Sequence, residues 1–87
     1  MALDGNAIGG LLLEIFGSEM TNAEATCAAC GAAGPVAETT VYLRGPGTVV
    51  RCRRCTSVLM VIARVRGLNC VDLSGLAALE ANPRPDD

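Results

Sequence analysis

The chain has 87 residues with a formal net charge of −2, five cysteines and no histidine. Apolar residues make up 51% of it but aromatic residues only 2%, which points to one small core of Ala, Val and Leu that needs a staple to hold. The longest apolar run, Val58–Ala63, is far too short to cross a bilayer, so a transmembrane helix is excluded.

Residues 3–20 read as an N-terminal amphipathic helix. Leu3, Ala7, Ile8, Leu11, Leu12, Ile15 and Phe16 recur at helical steps and leave Glu14 and Glu19 on the other side. Asp4 is the expected N-cap and Gly17 the expected terminator. Gly9 and Gly10 weaken this helix by about 1 kcal/mol each, so it depends on packing or on the close approach of another surface. Thr21-Asn22-Ala23-Glu24 fits a capping box that opens a short turn before the first cysteine.

From Cys27 the pattern changes to strands and turns. Gly34-Pro35 punctuates the chain, Glu38–Arg44 reads as a strand, and Gly45-Pro46-Gly47 turns it into Thr48–Arg51. Ser57–Arg66 reads as a long strand, and Gly67 leads into Leu68–Leu73. Ser74 is expected to cap a short C-terminal helical turn over 74–82, with 83–87 as a frayed tail. The whole predicts a single α+β domain: an N-terminal helix, a zinc ribbon of three to four antiparallel strands over 25–73, and that final turn.

Cys27/Cys30 and Cys52/Cys55 form two Cys-x-x-Cys knuckles separated by 21 residues. Two such pairs supply four thiolates, the ligand set of a closed structural zinc site holding one ion. Gly31 can adopt positive φ and turn backbone N–H groups toward the sulfurs. A disulfide scaffold fits poorly, because the cysteine count is odd and the pairs close only tiny loops. Met1–Gly5 has no basic n-region, so no secretory signal is expected and the chain reads as cytoplasmic. Iron is the alternative occupant, which would make the protein a rubredoxin-like electron carrier. Scarce aromatic residues and the lack of a glycine after Cys55 weigh against it. Cys70 reads as a small apolar core residue.

Charge is segregated along the chain. Residues 1–38 carry only acids, whereas residues 39–71 carry Arg44, Arg51, Arg53, Arg54, Arg64 and Arg66 and no acid. Arg51, Arg53 and Arg54 flank the second knuckle, where guanidinium groups offset the net negative charge of a zinc–thiolate centre. Their alternative use is anion binding, in a nucleic-acid patch spanning residues 44–66. The acidic flanks and the lack of aromatics beyond Tyr42 among the arginines weigh against that patch. An intramolecular pairing of the acidic helix with the basic ribbon is the simpler use of opposite charge.

Leu11, Leu12 and Leu13 are consecutive and cannot all face one side of a helix, which makes them candidates for contact with a protein partner or a second copy. With no histidine, no glycine-rich phosphate loop and no nucleophile–base pair, no catalytic residues are expected and the protein reads as non-enzymatic.

Several segments together carry a resemblance: Leu3-Asp4-Gly5-Asn6-Ala7, Cys27-Ala28-Ala29-Cys30-Gly31, Pro46-Gly47-Thr48-Val49-Val50-Arg51-Cys52, and Asp72-Leu73-Ser74-Gly75. With Phe16-Gly17, Met20-Thr21, Val41-Tyr42 and Val58-Leu59-Met60, they make the chain similar to an uncharacterised, mainly actinobacterial family of short zinc-ribbon proteins. The resemblance covers nearly the whole chain. It implies the four knuckle cysteines as metal ligands and an accessory role, and it assigns none to the Leu3–Asn6 segment.

Overall fold

Inward and outward side chains alternate along paired strands in the computed structural model, which describes residues 2–81. In chain order the elements are strand β1 (Ala2–Asp4), a 3-10 turn (Gly5–Ile8), helix α1 (Gly9–Phe16), β2 (Glu24–Cys27), β3 (Ala33–Pro35), a second 3-10 turn (Val36–Glu38), β4 (Thr40–Arg44), β5 (Gly47–Arg51), β6 (Val58–Val65), β7 (Leu68–Asp72) and β8 (Leu76–Glu80). They form a small α+β fold of two antiparallel sheets and one short helix. The larger sheet runs β1-β4-β5-β6-β7 and the smaller β3-β2-β8. No helix among the described residues is long and apolar enough to cross a membrane.

The larger sheet buries one face. Val41, Val50 and Met60 lie side by side across β4, β5 and β6, with Thr48 and Ile62 beside them. Ile8 and Leu12 complete this core from the helical segment. Glu14 of α1 accepts hydrogen bonds from Arg64 and, at 3.2 Å, from Asn69 Nδ2; both residues lie on the same face of β6 and β7. The expected pairing of acidic helix with basic sheet is thus seen at one point, Glu14 with Arg64. A bulge between β5 and β6 pairs Val50 with Met60 but Arg51 with Val58, leaving Leu59 as the extra residue. Consecutive Leu59 and Met60 both enter the core as a result.

The N-terminal helix is shorter than the expected 3–20. Residues 2–4 instead form an edge strand, with Leu3 opposite Val41. At Gly5 the chain presses against the second 3-10 turn so closely that a Cβ would lie 1.8 Å from the Val36 carbonyl oxygen. That contact fixes the path before α1 begins and gives the Leu3–Asn6 segment a structural role. Asp4 caps the 3-10 turn by accepting from Asn6 N at 3.1 Å. Gly17, at φ 74, ends α1 with its N–H bonded to Leu13 O. Thr21–Glu24 forms no capping box, because Thr21 bonds back to Glu19 and Glu24 begins β2.

The expected C-terminal helical turn over 74–82 is also corrected. Leu76–Glu80 is strand β8, paired with β2 from Cys27↔Leu76 to Glu24↔Glu80. The helix-favouring sequence Leu-Ala-Ala-Leu-Glu yields here to the free backbone edge of β2. Ser74 caps no helix; its N–H donates to Asp72 Oδ1 at 2.8 Å in a tight turn. Asn82 and the 83–87 tail lie outside the described residues. Pro35, expected only as punctuation, ends β3, where an edge strand tolerates it.

Gly75 repeats the close approach seen at Gly5: a Cβ there would lie 1.8 Å from Val58 O. Gly10, within α1, has nothing within 4 Å of its Cβ position. Gly5→Ala and Gly75→Ala should each destabilise by about 3 kcal/mol, because the obstacle is backbone that cannot rotate away. Gly10→Ala should stabilise by about 0.5–1 kcal/mol. Urea unfolding midpoints of the three variants check the ranking.

Candidate metal centre

Each Cys-x-x-Cys segment closes a β-hairpin, and the two hairpins belong to different sheets. The first knuckle joins β2 to β3 and the second joins β5 to β6. Their backbones follow the same bonding scheme. Gly31 N donates to Cys27 O at 2.9 Å and Thr56 N to Cys52 O at 3.0 Å. Cys27 N donates to Ala32 O at 2.9 Å and Cys52 N to Ser57 O at 2.8 Å. The residue after each second cysteine is left-handed, Gly31 at φ 78 and Thr56 at φ 64.

For glycine that conformation costs nothing, but for a β-branched threonine it is strained. Two contacts hold Thr56 in place. Arg51 Nη1 donates to Thr56 O at 2.9 Å, and the Thr56 hydroxyl bonds to Cys55 O at 2.6 Å. Arg51 also stands 5.8 Å from the Tyr42 ring centroid, which orients its guanidinium. A turn from the far end of the chain braces the first knuckle, since Ala28 N donates to Gly75 O at 3.0 Å.

The four sulfurs converge, all within 4.8 Å of one another. Cys27 and Cys55 Sγ are 3.6 Å apart, and Cys30 and Cys52 Sγ 3.7 Å. A tetrahedral ion with metal–sulfur bonds of about 2.3 Å requires edges of roughly 3.8 Å. The residues therefore fit a four-thiolate metal ion, and no disulfide joins them. Cys27 and Cys52 are buried, Cys55 is half-buried and Cys30 is exposed.

Backbone N–H groups aim at these sulfurs. Arg54 N donates to Cys52 Sγ at 3.4 Å. Hydrogen bonds from the N–H groups of Cys55 and then Arg54 hold the Cys52 thiol below its ordinary range. The Ser57 hydroxyl, followed by the Ser57 N–H, brings Cys55 down to about 6. At Cys30 the Ala32 N–H acts in the same direction. Loss of water and the three neighbouring thiols outweigh it and push Cys30 up to about 11. Without an ion, the cluster cannot carry four negative charges; a divalent cation removes that conflict.

The arginines are not gathered into one patch. Arg53 pairs with Glu38 at 3.5 Å, both exposed, and Arg64 pairs with Glu14 on the helix-covered side of the sheet. Arg44 and Arg51 stand beside Tyr42 and Val49 on the opposite face. Arg54 is exposed at the tip of the second knuckle. The candidate leucines divide as well. Leu12 is buried in the core and Leu11 packs against it, which leaves Leu13, 51% exposed, as the one able to meet a partner. Cys70, expected in the core, is exposed on β7. Thr56 and Ser57 were missed from sequence, although Thr56 follows Cys55 just as Gly31 follows Cys30.

Fold and site together define a small α+β protein built around a possible metal-binding cysteine cluster. The sequence profile of DUF6510, a family of unknown function, matches residues 1–84, and the chain belongs to that family. No curated protein and no solved structure matches it.

The equivalence of the two knuckles generates a paired expectation. Thr56→Gly should raise stability by about 0.5–1 kcal/mol by relieving left-handed strain, net of the entropy that glycine adds to the unfolded chain. Gly31→Ala should lower it by about 1 kcal/mol. Thermal unfolding of the metal-loaded variants reads both signs.

Proposed function

We propose that the protein is a non-enzymatic zinc ribbon, a cytoplasmic adaptor or accessory subunit that binds a protein partner or a second copy of itself. The observation that carries this reading is the convergence of four cysteine sulfurs from two matched knuckles. Cys27, Cys30, Cys52 and Cys55 would hold one ion, and four thiolates close its coordination sphere. A closed site offers no position for water or substrate, so its contribution is to the fold. Zinc is favoured over iron because few aromatics are available to shield a redox ion and no glycine follows Cys55. The split of the arginines between two ion pairs and two sheet faces favours partner binding over a nucleic-acid patch.

Metal analysis of protein made in its native host should return one equivalent of zinc per chain; a red protein containing iron would replace this reading with electron transfer. A strong chelator should abolish the cooperative thermal transition, because structural zinc contributes roughly 10–16 kcal/mol in small domains. Retention of that transition after complete metal removal would overturn the structural role.

For the adaptor role, affinity-tagged chain recovered from native extract should elute above its monomer mass together with a protein partner or as a self-complex. Elution as a bare monomer at native abundance would count against it.

A further inference from the structure

The larger sheet ends at β7, whose outer edge is free among the described residues. The β6–β7 hairpin turns through Arg66 at φ 54 and Gly67 at φ 81, a two-residue loop closed by the pair Val65↔Leu68. In such a hairpin the closing pair is hydrogen-bonded and the pattern then alternates. Leu68, Cys70 and Asp72 therefore bond to β6, while the backbone N–H and C=O groups of Asn69 and Val71 point outward. Arg64 confirms the phase: its N–H turns away from β7 and donates to Pro46 O at 3.2 Å.

Apart from Asp72 at its C-terminal end, this edge lacks the devices that usually prevent pairing. Leu68-Asn69-Cys70-Val71 contains no charge, no proline and no bulge. The apolar side chains around it are exposed, with Leu68 at 70%, Val65 at 51% and Val71 at 36%.

From these observations we infer that β7 pairs antiparallel with β7 of a second copy about a two-fold axis through Cys70, joining two five-stranded sheets into one. The register is self-consistent. Centring on Cys70 sets Asn69 opposite the partner's Val71, the two positions whose backbone groups face outward, so that both pairs exchange hydrogen bonds. Antiparallel pairing also carries the Arg66 turn of each copy to the Asp72 end of the other, opposite in charge at both ends. Cys70 then falls in a non-hydrogen-bonded pair with its own counterpart. Cα atoms in such a pair are about 4.5 Å apart, within the span a disulfide can bridge. The inference rests on the adaptor reading and deepens it by naming the partner.

The test uses the full metal-loaded chain. Light scattering across a concentration series should show a monomer–dimer equilibrium. Diamide, which accepts two electrons and two protons from a pair of thiols, should form a Cys70–Cys70 disulfide dimer that a reductant reverses. Cys70→Ser should abolish the cross-link but not the equilibrium.

Val71→Pro removes an outward N–H that the monomer does not use, and should raise the dissociation constant at least about tenfold through two lost bonds per dimer. Arg66→Glu should weaken dimerisation severalfold, with the greater effect at low salt. A metal-loaded monomer at all concentrations, with no cross-link, overturns the edge pairing and leaves the adaptor reading standing. A dimer that forms equally well with Val71→Pro also overturns the pairing. Metal analysis of the same sample separates the two claims: a β7-dependent dimer without metal keeps the pairing and removes the metal-held fold.

Discussion

Two β-hairpins from two different sheets meet tip to tip at four sulfur atoms, and most of the architecture serves to bring them there. The β2–β3 hairpin carries Cys27 and Cys30, and the β5–β6 hairpin carries Cys52 and Cys55. Each tip follows the same scheme of backbone bonds, with left-handed residues at Gly31 and Thr56. The left-handed step turns the N–H of the following residue, Ala32 or Ser57, toward the sulfur of the cysteine before it. Four thiolates gathered without an ion would repel, and loss of water and the neighbouring sulfurs keep Cys30 protonated instead. A chain that strains a threonine to complete this cage has a use for the charge the cage collects.

Two glycine-dependent contacts set the distance between the sheets. Gly5 docks β1 and the first 3-10 turn onto the carbonyl of Val36, and Gly75 docks the β7–β8 turn onto the carbonyl of Val58. The second contact lies beside the cysteines, because the same Gly75 carbonyl accepts from Ala28 in the first knuckle. Bulges at Leu59 in β6 and Ala77 in β8 fall opposite the strand ends that lead to the knuckles. Each bends the pairing beside a knuckle. The short core, poor in large side chains, is thus assembled by backbone contact as much as by side-chain packing.

The features legible in sequence were those fixed by local chemistry. Cys-x-x-Cys spacing, the Gly17 terminator, the Asp4 cap and the hairpin strands each follow from a few neighbouring residues. Features decided by distant partners were not legible. Leu76–Glu80 has a helical composition and becomes a strand only because β2 offers an edge, and nothing near residue 76 announces that edge. β1 and β3 are three residues each, too short to carry a period. The arginines form a block in sequence but alternate between faces once β4, β5 and β6 are paired, so a one-dimensional run dissolves in three dimensions. Leu12 and Leu13 are parted in the same way, one to the core and one to solvent.

This division bears on where activity can reside. The cysteine cage sits at the joint between the sheets with its first cysteines buried, and the helix covers one face of the larger sheet. Two accessible regions of the larger sheet are the opposite face, with Tyr42, Val49 and Val61 half-buried on it, and the β7 edge that borders it. The arginines best placed for anions are partly occupied by Glu38, Glu14, Thr56 and Tyr42. A sheet face that mixes Tyr42, Val49 and Val61 with Arg44 and Arg51, next to a sheet edge free among the described residues, is suited to recognising backbone and surface shape. An ion bound in the cage would tie the two hairpins together, and a pre-organised surface costs less entropy to present. On this view the metal proposed for the cage and the partner proposed for the edge are linked physically: the first fixes the geometry that the second would read.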